Sequence, residues 1–510
     1  MKIISIWVKA AAAAAVTEIV FARPEPPHSH KCCHALASNP ALKGRVVYPN
    51  STIYEDRIDS IWSLDAALTP WCIVLPTSTE ETAAVIQIID SVGCPFGIRS
   101  GGHGTFANSN NVNDGVTIDF GYMNSTTYDP KTNIASLQPG GRWGSVYKTL
   151  EPYGVAVAGG RQNPVGVAGF LLGGGNSYYN NAYGWGCDSV ENFEVVLASG
   201  QVVNANAEEN RDLWIALKGG TGNFGLVTRF DMRVIPYANT SDPVFWCGTL
   251  SWGKNVSDNV IEVLSEFADN VPNDPSSTTH ALIVYTSDGT WSIVFPLINI
   301  DNKEWEPAFD GLKSVPYRLK STMRHDTMWS IAQEASGPGG AHNFNIVCAV
   351  KNDPQLLKYI FARHEELVKR VNETIPPETV WYSLLQLQPI TVPMVAAGQG
   401  LNSLGLENDI AASGGGPGIM SSITMQIDNP ELEATMYALA LECQKDIEQY
   451  ARSLGNGLWE WRYLNYADLT YDPLASYGEE SVKRLRQVSH QYDPEGVFQH
   501  LRKSGFKIPE

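Results

Sequence analysis

Three glycine-rich loops between residues 100 and 175 limit what this chain can fold into more than any other feature. They are "SGGHG" (100–104), "PGGRWG" (139–144) and "GGG" (173–175). The first two close strand-like segments, "FGIRS" and "ASLQPGG". Glycine lets a backbone press against a ligand and turn its N–H groups inward, an arrangement suited to phosphate. With 45 glycines in 510 residues the overall usage is near ordinary, so the clustering carries the argument. Three loops so placed are enough to line a long diphosphate ligand. One bulky polar residue, His103, stands among the glycines. It could serve there as a general base, a metal ligand or a point of attachment for the ligand.

A chain of this length exceeds one hydrophobic core, so two or more domains are expected. A net charge of −18 argues against nucleic acid and anionic membranes as partners. The 14 Trp and 21 Tyr suit pockets for organic molecules, although core packing accounts for most of them. The N-terminus, "MKIISIWVKAAAAAAVTEIVFARPEPP", has Lys2 and Lys9 before an Ala-rich apolar stretch ending at Val20-Phe21-Ala22. Residues 1–22 therefore read as a cleaved secretory signal, and the mature protein as secreted. Five N-x-[ST] sequons, at Asn50, Asn124, Asn239, Asn255 and Asn372, agree with that route. In an oxidising compartment the eight cysteines permit disulfides, and a bridge from Cys32 or Cys33 to Cys72 is expected, with Cys94 in the same unit. "HSHKCCH" (28–34) has no second ligand pair at metal spacing, so no metal site is expected.

Along the chain, "CIVLP" (72–76) reads as a buried strand. "STEETAAVIQIIDSVG" then reads as a helix with Ser78 and Glu81 as a capping box, and Ala84, Val85, Ile88, Ile89 and Val92 on one face. "GVTIDF" (115–120) is a further strand, and "FEVVLASGQVV" (193–203) a hairpin around Ser199-Gly200. "GLVTRFDMRVIP" alternates as a half-exposed strand. Beyond Pro236 the texture changes to long amphipathic helices, at 354–371 and 431–455, and a hairpin turning at Asp288-Gly289. That middle region reads as an antiparallel sheet with helices on one side. No fixed-period repeat is present.

"GTGNFG" (220–225) matches a dinucleotide fingerprint, but a helix leads into it and a strand leads out. A nicotinamide-binding turn requires the reverse order, so the match is a decoy. Taken together, "PWCIVLPTSTEETAAVIQII", "FGIRSGGHG", "GGG", "YGWGCDSVENFEVVLASGQVV", "DLWIALKGGTGNFGLVTRF", "YLNYAD" and "DPEGVF" resemble, in that order, the FAD-linked oxidases of the vanillyl-alcohol oxidase class. Within the class they are similar to the berberine-bridge-enzyme-like branch, which includes secreted fungal members. The resemblance covers residues 60–237 and 460–500, and is loose between them.

The resemblance implies an α+β fold: a two-lobed FAD-binding domain of the PCMH type plus an antiparallel-sheet-and-helix substrate domain. The FAD domain would be discontinuous, over 23–237 (its core 66–237) and again at 456–510, around a substrate domain at 238–455. It implies FAD as cofactor, with Arg99, Ser100, Gly101, Gly102, His103, Gly104, Pro139, Gly140, Val165, Gly174, Gly175, Gly222, Asn223, Gly225, Val227 and Asn465 at the flavin nucleotide. His103 would bond covalently to the 8α-methyl carbon of the ring. The branch's second tether, a cysteine in "G-x-C-P-x-V-G", is Gln162 here, so a single link is expected, with Cys187 a small buried residue. Val165 would lie on the oxygen-access side, where a small β-branched residue accompanies oxidases and Leu accompanies dehydrogenases.

"YLNYAD" (463–468) would be an active-site strand, with Tyr463 and Asn465 on one face and Tyr466, the catalytic base, on the other. A phenol normally titrates near pH 10, so Tyr466 needs a positive or hydrogen-bonding neighbour that the sequence does not identify. His280 and Gln388 lie in segments that could face the substrate. The expected chemistry is oxidation of a small-molecule substrate (an alcohol, a sugar or a secondary metabolite) with O2 as acceptor and H2O2 as product. The alternatives are a dehydrogenase with another acceptor and a secreted binding glycoprotein without catalysis.

Overall fold

Short, largely apolar runs build the strands of the first sheet. The computed structural model describes residues 27–510; the expected signal, 1–22, lies outside them. Strands Cys72–Val74 and Phe96–Arg99 both pair in parallel with Val116–Asp119, and Val46–Val47 adds an antiparallel edge. The helix Thr79–Val92 packs on this sheet. Its deepest side chains are Thr82, Val85, Ile86 and Ile89, so the buried stripe is rotated slightly from the expected one, leaving Ala84, Ile88 and Val92 half-buried. Burying each of these Val and Ile side chains is worth about 1.5–3 kcal/mol. Ser78 caps the helix by accepting from the Glu81 N–H. The return half of the capping box differs from expectation: the Glu81 carboxylate takes the Thr77 N–H and Arg45 instead. Gly93 ends the helix at φ +74°.

Two disulfides close the N-terminal unit. Cys33 bonds to Cys72 and Cys32 to Cys94. The first is one of the two expected bridges; the second uses the remaining cysteine of the unit. The chain's end returns to the same core. Val497 and Phe498 pack with Val85 and Phe96, and the Phe96 N–H donates to the Leu501 carbonyl at 3.0 Å.

A five-stranded antiparallel sheet follows, containing the Val190–Val196/Val202–Asn206 hairpin and, beside it, Leu226–Arg233. "GTGNFG" sits between the helix Arg211–Leu217 and that last strand, as the sequence order required.

The middle of the chain forms a ten-stranded antiparallel sheet. Strict alternation along its strands gives it two different faces. Trp381, Leu385 and Leu387, with Ile283, Ile346 and Ile423, lie under the helices Ser257–Asn270, Pro354–Thr374 and Pro430–Ser453. Val347, Ala349, Ile390 and Met420 lie on the opposite face, in the core shared with Trp143, Phe170 and Trp461. Among the described residues no helix is long and apolar enough to cross a membrane.

Candidate active site

The first glycine loop leaves the C-terminal end of the strand Phe96–Arg99 and is held from beneath. Asp119, fully buried at the end of the parallel neighbour strand, accepts from Arg57 at 2.8 Å and lies 3.3 Å from Arg99. Arg99 also donates to the Arg57 carbonyl and to Ser60 Oγ. Its side chain thus supports the loop, and burial holds its pKa down to about 10 against the charge of Asp119. Gly102 turns directly above it at φ +69°, where a side chain would be strained and would also meet the guanidinium. Ser100 donates to the Pro139 carbonyl at 2.5 Å and accepts from the Ala168 N–H at 3.3 Å, so one hydroxyl joins three loops. Gly101 lies against Gly166 so closely that a Cβ on it would stand 2.5 Å from the Gly166 Cα. Gly140 packs equally tightly on the Phe120 carbonyl, and Gly104 on Ser109.

His103 emerges from this loop with its ring 4.6 Å from that of Trp62. Its Nδ1 is buried and has no hydrogen-bond partner. Burial, with the nearby Arg142 charge, pushes its pKa down to about 4. The imidazole is therefore neutral above that pH and keeps a lone pair free for bonding. The Trp62 backbone is fixed to the same loop, its main-chain N–H donating to the Gly102 carbonyl at 2.9 Å.

The loop 160–166 reaches from His103 to the other end of the site. At one end Gly166 meets Gly101, and the Val165 carbonyl accepts from the Trp143 N–H at 3.0 Å. At the other end Arg161 Nη2 donates to Tyr466 Oη at 2.9 Å and to Gln388 Oε1 at 2.6 Å. Four residues separate Arg161 from Gly166, and the five steps span at most about 17 Å. Gln388 is fixed in turn by Asn176 at 3.0 Å, and Asn176 by Asn180 at 3.0 Å. Tyr178 lies under the guanidinium at 5.8 Å, and burial raises its pKa to about 12. His280 stacks on Tyr178 and is held neutral by burial and by the Arg161 charge.

The segment 463–468 is not the expected strand. Residues Leu464–Tyr466 form one turn of 3₁₀ helix, closed by the Tyr466 N–H donating to the Tyr463 carbonyl at 3.0 Å. Alternation consequently fails, and Tyr463, Asn465 and Tyr466 gather in one cluster. The rings of Tyr463 and Tyr466 meet edge to face at 4.9 Å, and Asn465 Nδ2 lies 3.2 Å from Tyr463 Oη. Tyr463 is fully buried, which raises its pKa, and its oxygen accepts from the Asn176 N–H at 2.8 Å. Tyr466 is half-buried, with Arg161 as the neighbour the sequence left unnamed.

The other expected residues fall in three groups. Gly174 and Gly175 adjoin Tyr463 through Trp185, their carbonyls accepting from the N–H groups of Cys187 and Gly186. Gly222 and Asn223 face the C-terminal segment, where Asn223 Oδ1 accepts from the buried Arg502 at 2.6 Å. Gly225 and Val227 begin the strand beside Val195. Cys187 is a buried free thiol beside Asp188, and burial raises its pKa. Sequence reasoning missed Trp62, Arg161 and Asn176. Only Arg161 had a legible signal: a charged residue in a loop otherwise made of Gly, Pro, Val and amides.

Comparison with known proteins places this geometry. Residues 70–206 match a family model described as an FAD binding domain, and residues 462–502 one described as berberine and berberine-like. The chain is 35% identical over 487 residues to the FAD-dependent monooxygenase sdcF of Emericella nidulans, covering 94% of this chain and 98% of that protein. It is 32% identical to the FAD-dependent monooxygenase drtC of Aspergillus calidoustus, covering 94% and 90%. Among solved structures, it shares a fold with BBE-like 1 of Physcomitrella patens (TM-score 0.74, 18% identity, covering 94% and 99%). It also shares one with the xylooligosaccharide oxidase of Myceliophthora thermophila (TM-score 0.72, 18% identity, covering 95% and 100%).

Proposed function

The chain belongs to the FAD-linked oxidoreductases of the vanillyl-alcohol oxidase class, in the berberine-like branch, and from that premise we propose that it works as a secreted oxidase with one covalent flavin link. The residues present fit the cofactor. His103 offers a neutral, buried and unpartnered Nδ1, while Gly101 and Gly140 keep the loops beside it bare. His103 is the single attachment point in this reading, since Gln162 replaces the second tether and Cys187 is a buried thiol. When bound, FAD supplies a two-electron acceptor that takes a hydride from the substrate and passes the electron pair to O2, giving H2O2.

The protein's own part is to place the substrate and move its proton. The observation that carries the reading is the Arg161–Tyr466 contact at 2.9 Å, in a loop whose other end meets the His103 loop. Tyr466 Oη takes the substrate proton, and the guanidinium that donates to it holds that oxygen in position. Gln388 and Asn176 keep Arg161 in place. Val165, half-buried beside Gly166, guards the approach of oxygen. Secretion with glycosylation is supported by two disulfides and by sequons that are exposed at Asn50, Asn124, Asn239, Asn255 and Asn372.

Acid precipitation of the purified protein tests the tether. The yellow colour stays in the pellet for wild type and moves to the supernatant for His103→Ala. Flavin released from wild type, or found by mass spectrometry on Cys187, overturns the reading. A second reading, monooxygenation, is favoured by the names of the relatives at 35% and 32% identity. Label from ¹⁸O2 separates the two: it appears in peroxide for an oxidase and in the organic product for a monooxygenase.

A further inference from the structure

Arg161 brings its guanidinium to the site without a carboxylate partner. Its Nη2 donates to the Gln388 amide oxygen and to Tyr466 Oη. Among the described residues no carboxylate forms an ion pair with it. Glu334, whose charge acts on Tyr178, is itself engaged by Arg324 at 2.8 Å. Arg462, on the other side of the same core, shows the ordinary arrangement: it is buried against Glu448 at 2.8 Å. The groups placed against it are Tyr178, Gln388 and Tyr466, with Asn176 behind Gln388 and a neutral His280 nearby. Arg161 thus keeps its positive charge without an acidic partner among the described residues, in a chain whose net charge is −18. A guanidinium has five N–H donors, and Nη2 accounts for two of them. The three on Nε and Nη1 donate to no protein atom among the described residues.

We propose that Arg161 is the specificity-determining residue of the substrate site and that the substrate is an organic anion, its carboxylate or ionised phenol oxygen received by the free Nε and Nη1 donors. The proposal rests on the reading of the Arg161–Tyr466 end as the place where substrate binds. It deepens that reading by naming the charge of the substrate. A neutral alcohol or sugar offers these donors a weaker acceptor than an anion does. An anion gains charge-assisted hydrogen bonds on an aromatic floor, worth roughly ten- to a hundredfold in affinity over a neutral isostere. The negative surface repels the same anion at long range, so selectivity is set by contact.

The test titrates the purified flavin-loaded protein with benzoate and benzamide, and with 4-cyanophenol above and below its own pKa, following heat by calorimetry. Wild type binds benzoate at least about tenfold tighter than benzamide. A stronger preference for ionised 4-cyanophenol than for benzoate identifies a phenolate as the group received; the reverse identifies a carboxylate. Arg161→Gln removes the preference, and Arg161→Lys, which keeps the charge, retains part of it. Equal binding of benzoate and benzamide by wild type overturns the proposal, as does a preference that survives Arg161→Gln at full flavin content. Tyr466→Phe keeps the anion preference. A failure of Tyr466 as base is thereby distinguished from a failure of Arg161 as anion receptor.

Discussion

Along the strand Trp381–Ile390, Leu385 and Leu387 pack under the long helices, while Gln386 and Gln388, one residue away from each, belong to the opposite face. There Gln388 holds Arg161, and Gln386 accepts from Gln388. The two faces are equally part of the protein interior but follow different rules. The helix-covered face buries mainly apolar surface, with the His364–Ser383 hydrogen bond at 2.8 Å as a polar exception. The other buries amides, a neutral histidine and a guanidinium, each needing a specific partner, because an unpaired polar group there is costly. Stability should therefore reside mainly in the first face and chemistry in the second.

The largest effect expected is on the polar face. Tyr466→Phe keeps the ring that meets Tyr463 edge to face and removes only the oxygen bonded to Arg161. Flavin content and folding persist, while reduction of the flavin by a true substrate falls by about 10² to 10⁴. Cys187→Ser, in the buried shell behind the site, leaves that rate nearly intact. Stopped-flow reduction under anaerobic conditions reads both. Reduction by Tyr466→Phe at close to the wild-type rate would mean that the base lies on another residue.

Next comes a matched pair on one strand. Leu385→Ala opens a cavity under the helices and costs about 2–5 kcal/mol of stability, with turnover per folded molecule unchanged. Gln388→Leu keeps the volume but leaves donors of Arg161 and Asn176 unpaired, at a cost of about 1–3 kcal/mol. Its turnover falls tenfold or more, because Arg161 loses the group that fixes it. Denaturant midpoints and turnover measured on the same preparations separate the two. If Leu385→Ala impaired turnover as much as Gln388→Leu did, the division of labour between the faces would be wrong.

The same contrast explains what was legible in the sequence. The glycine loops could be read because a close approach such as Gly101 on Gly166 leaves room for one residue type only. The helix Thr79–Val92 could be read because its apolar spacing and Ser78 cap are local. Tyr466 was identified by its motif, yet its surroundings were misjudged: the 3₁₀ turn at Leu464–Tyr466 is imposed by packing against Tyr463 and Trp185, which local alternation does not encode. Arg161 and Gln388 lie 227 residues apart in the chain. Nothing in either segment announces the other, so the network around Arg161 and Tyr466 emerged only when the large sheet met the glycine loops.

The smallest effect expected lies where the helix-covered face meets the N-terminal unit, and it should change stability without touching chemistry. Glu433, in the first turn of Pro430–Ser453, stands 3.7 Å from His342 Nδ1, which Asp65 engages at 2.6 Å. Burial, then the Asp65 charge, raise the Glu433 pKa to about 7, with His342 opposing. A carboxyl raised in the folded state lends stability below its unfolded pKa, near 4.5, and that contribution is lost as pH rises through about 7. Wild type should thus lose stability across that window. Because the side chain is 25% exposed and the cluster titrates together, the loss is about 1 kcal/mol. Glu433→Gln carries no such charge. Its denaturant midpoint should vary less between pH 4.5 and 7 and exceed that of wild type above pH 7, while flavin reduction stays unchanged at every pH. A wild-type stability that rises across the window would show that the His342 pairing outweighs the crowding of the two carboxylates. A change in the reduction rate would show that this junction is coupled to the polar face after all, through Trp62, whose carbonyl accepts from the Gly340 N–H two residues before His342 and whose ring lies 4.6 Å from that of His103.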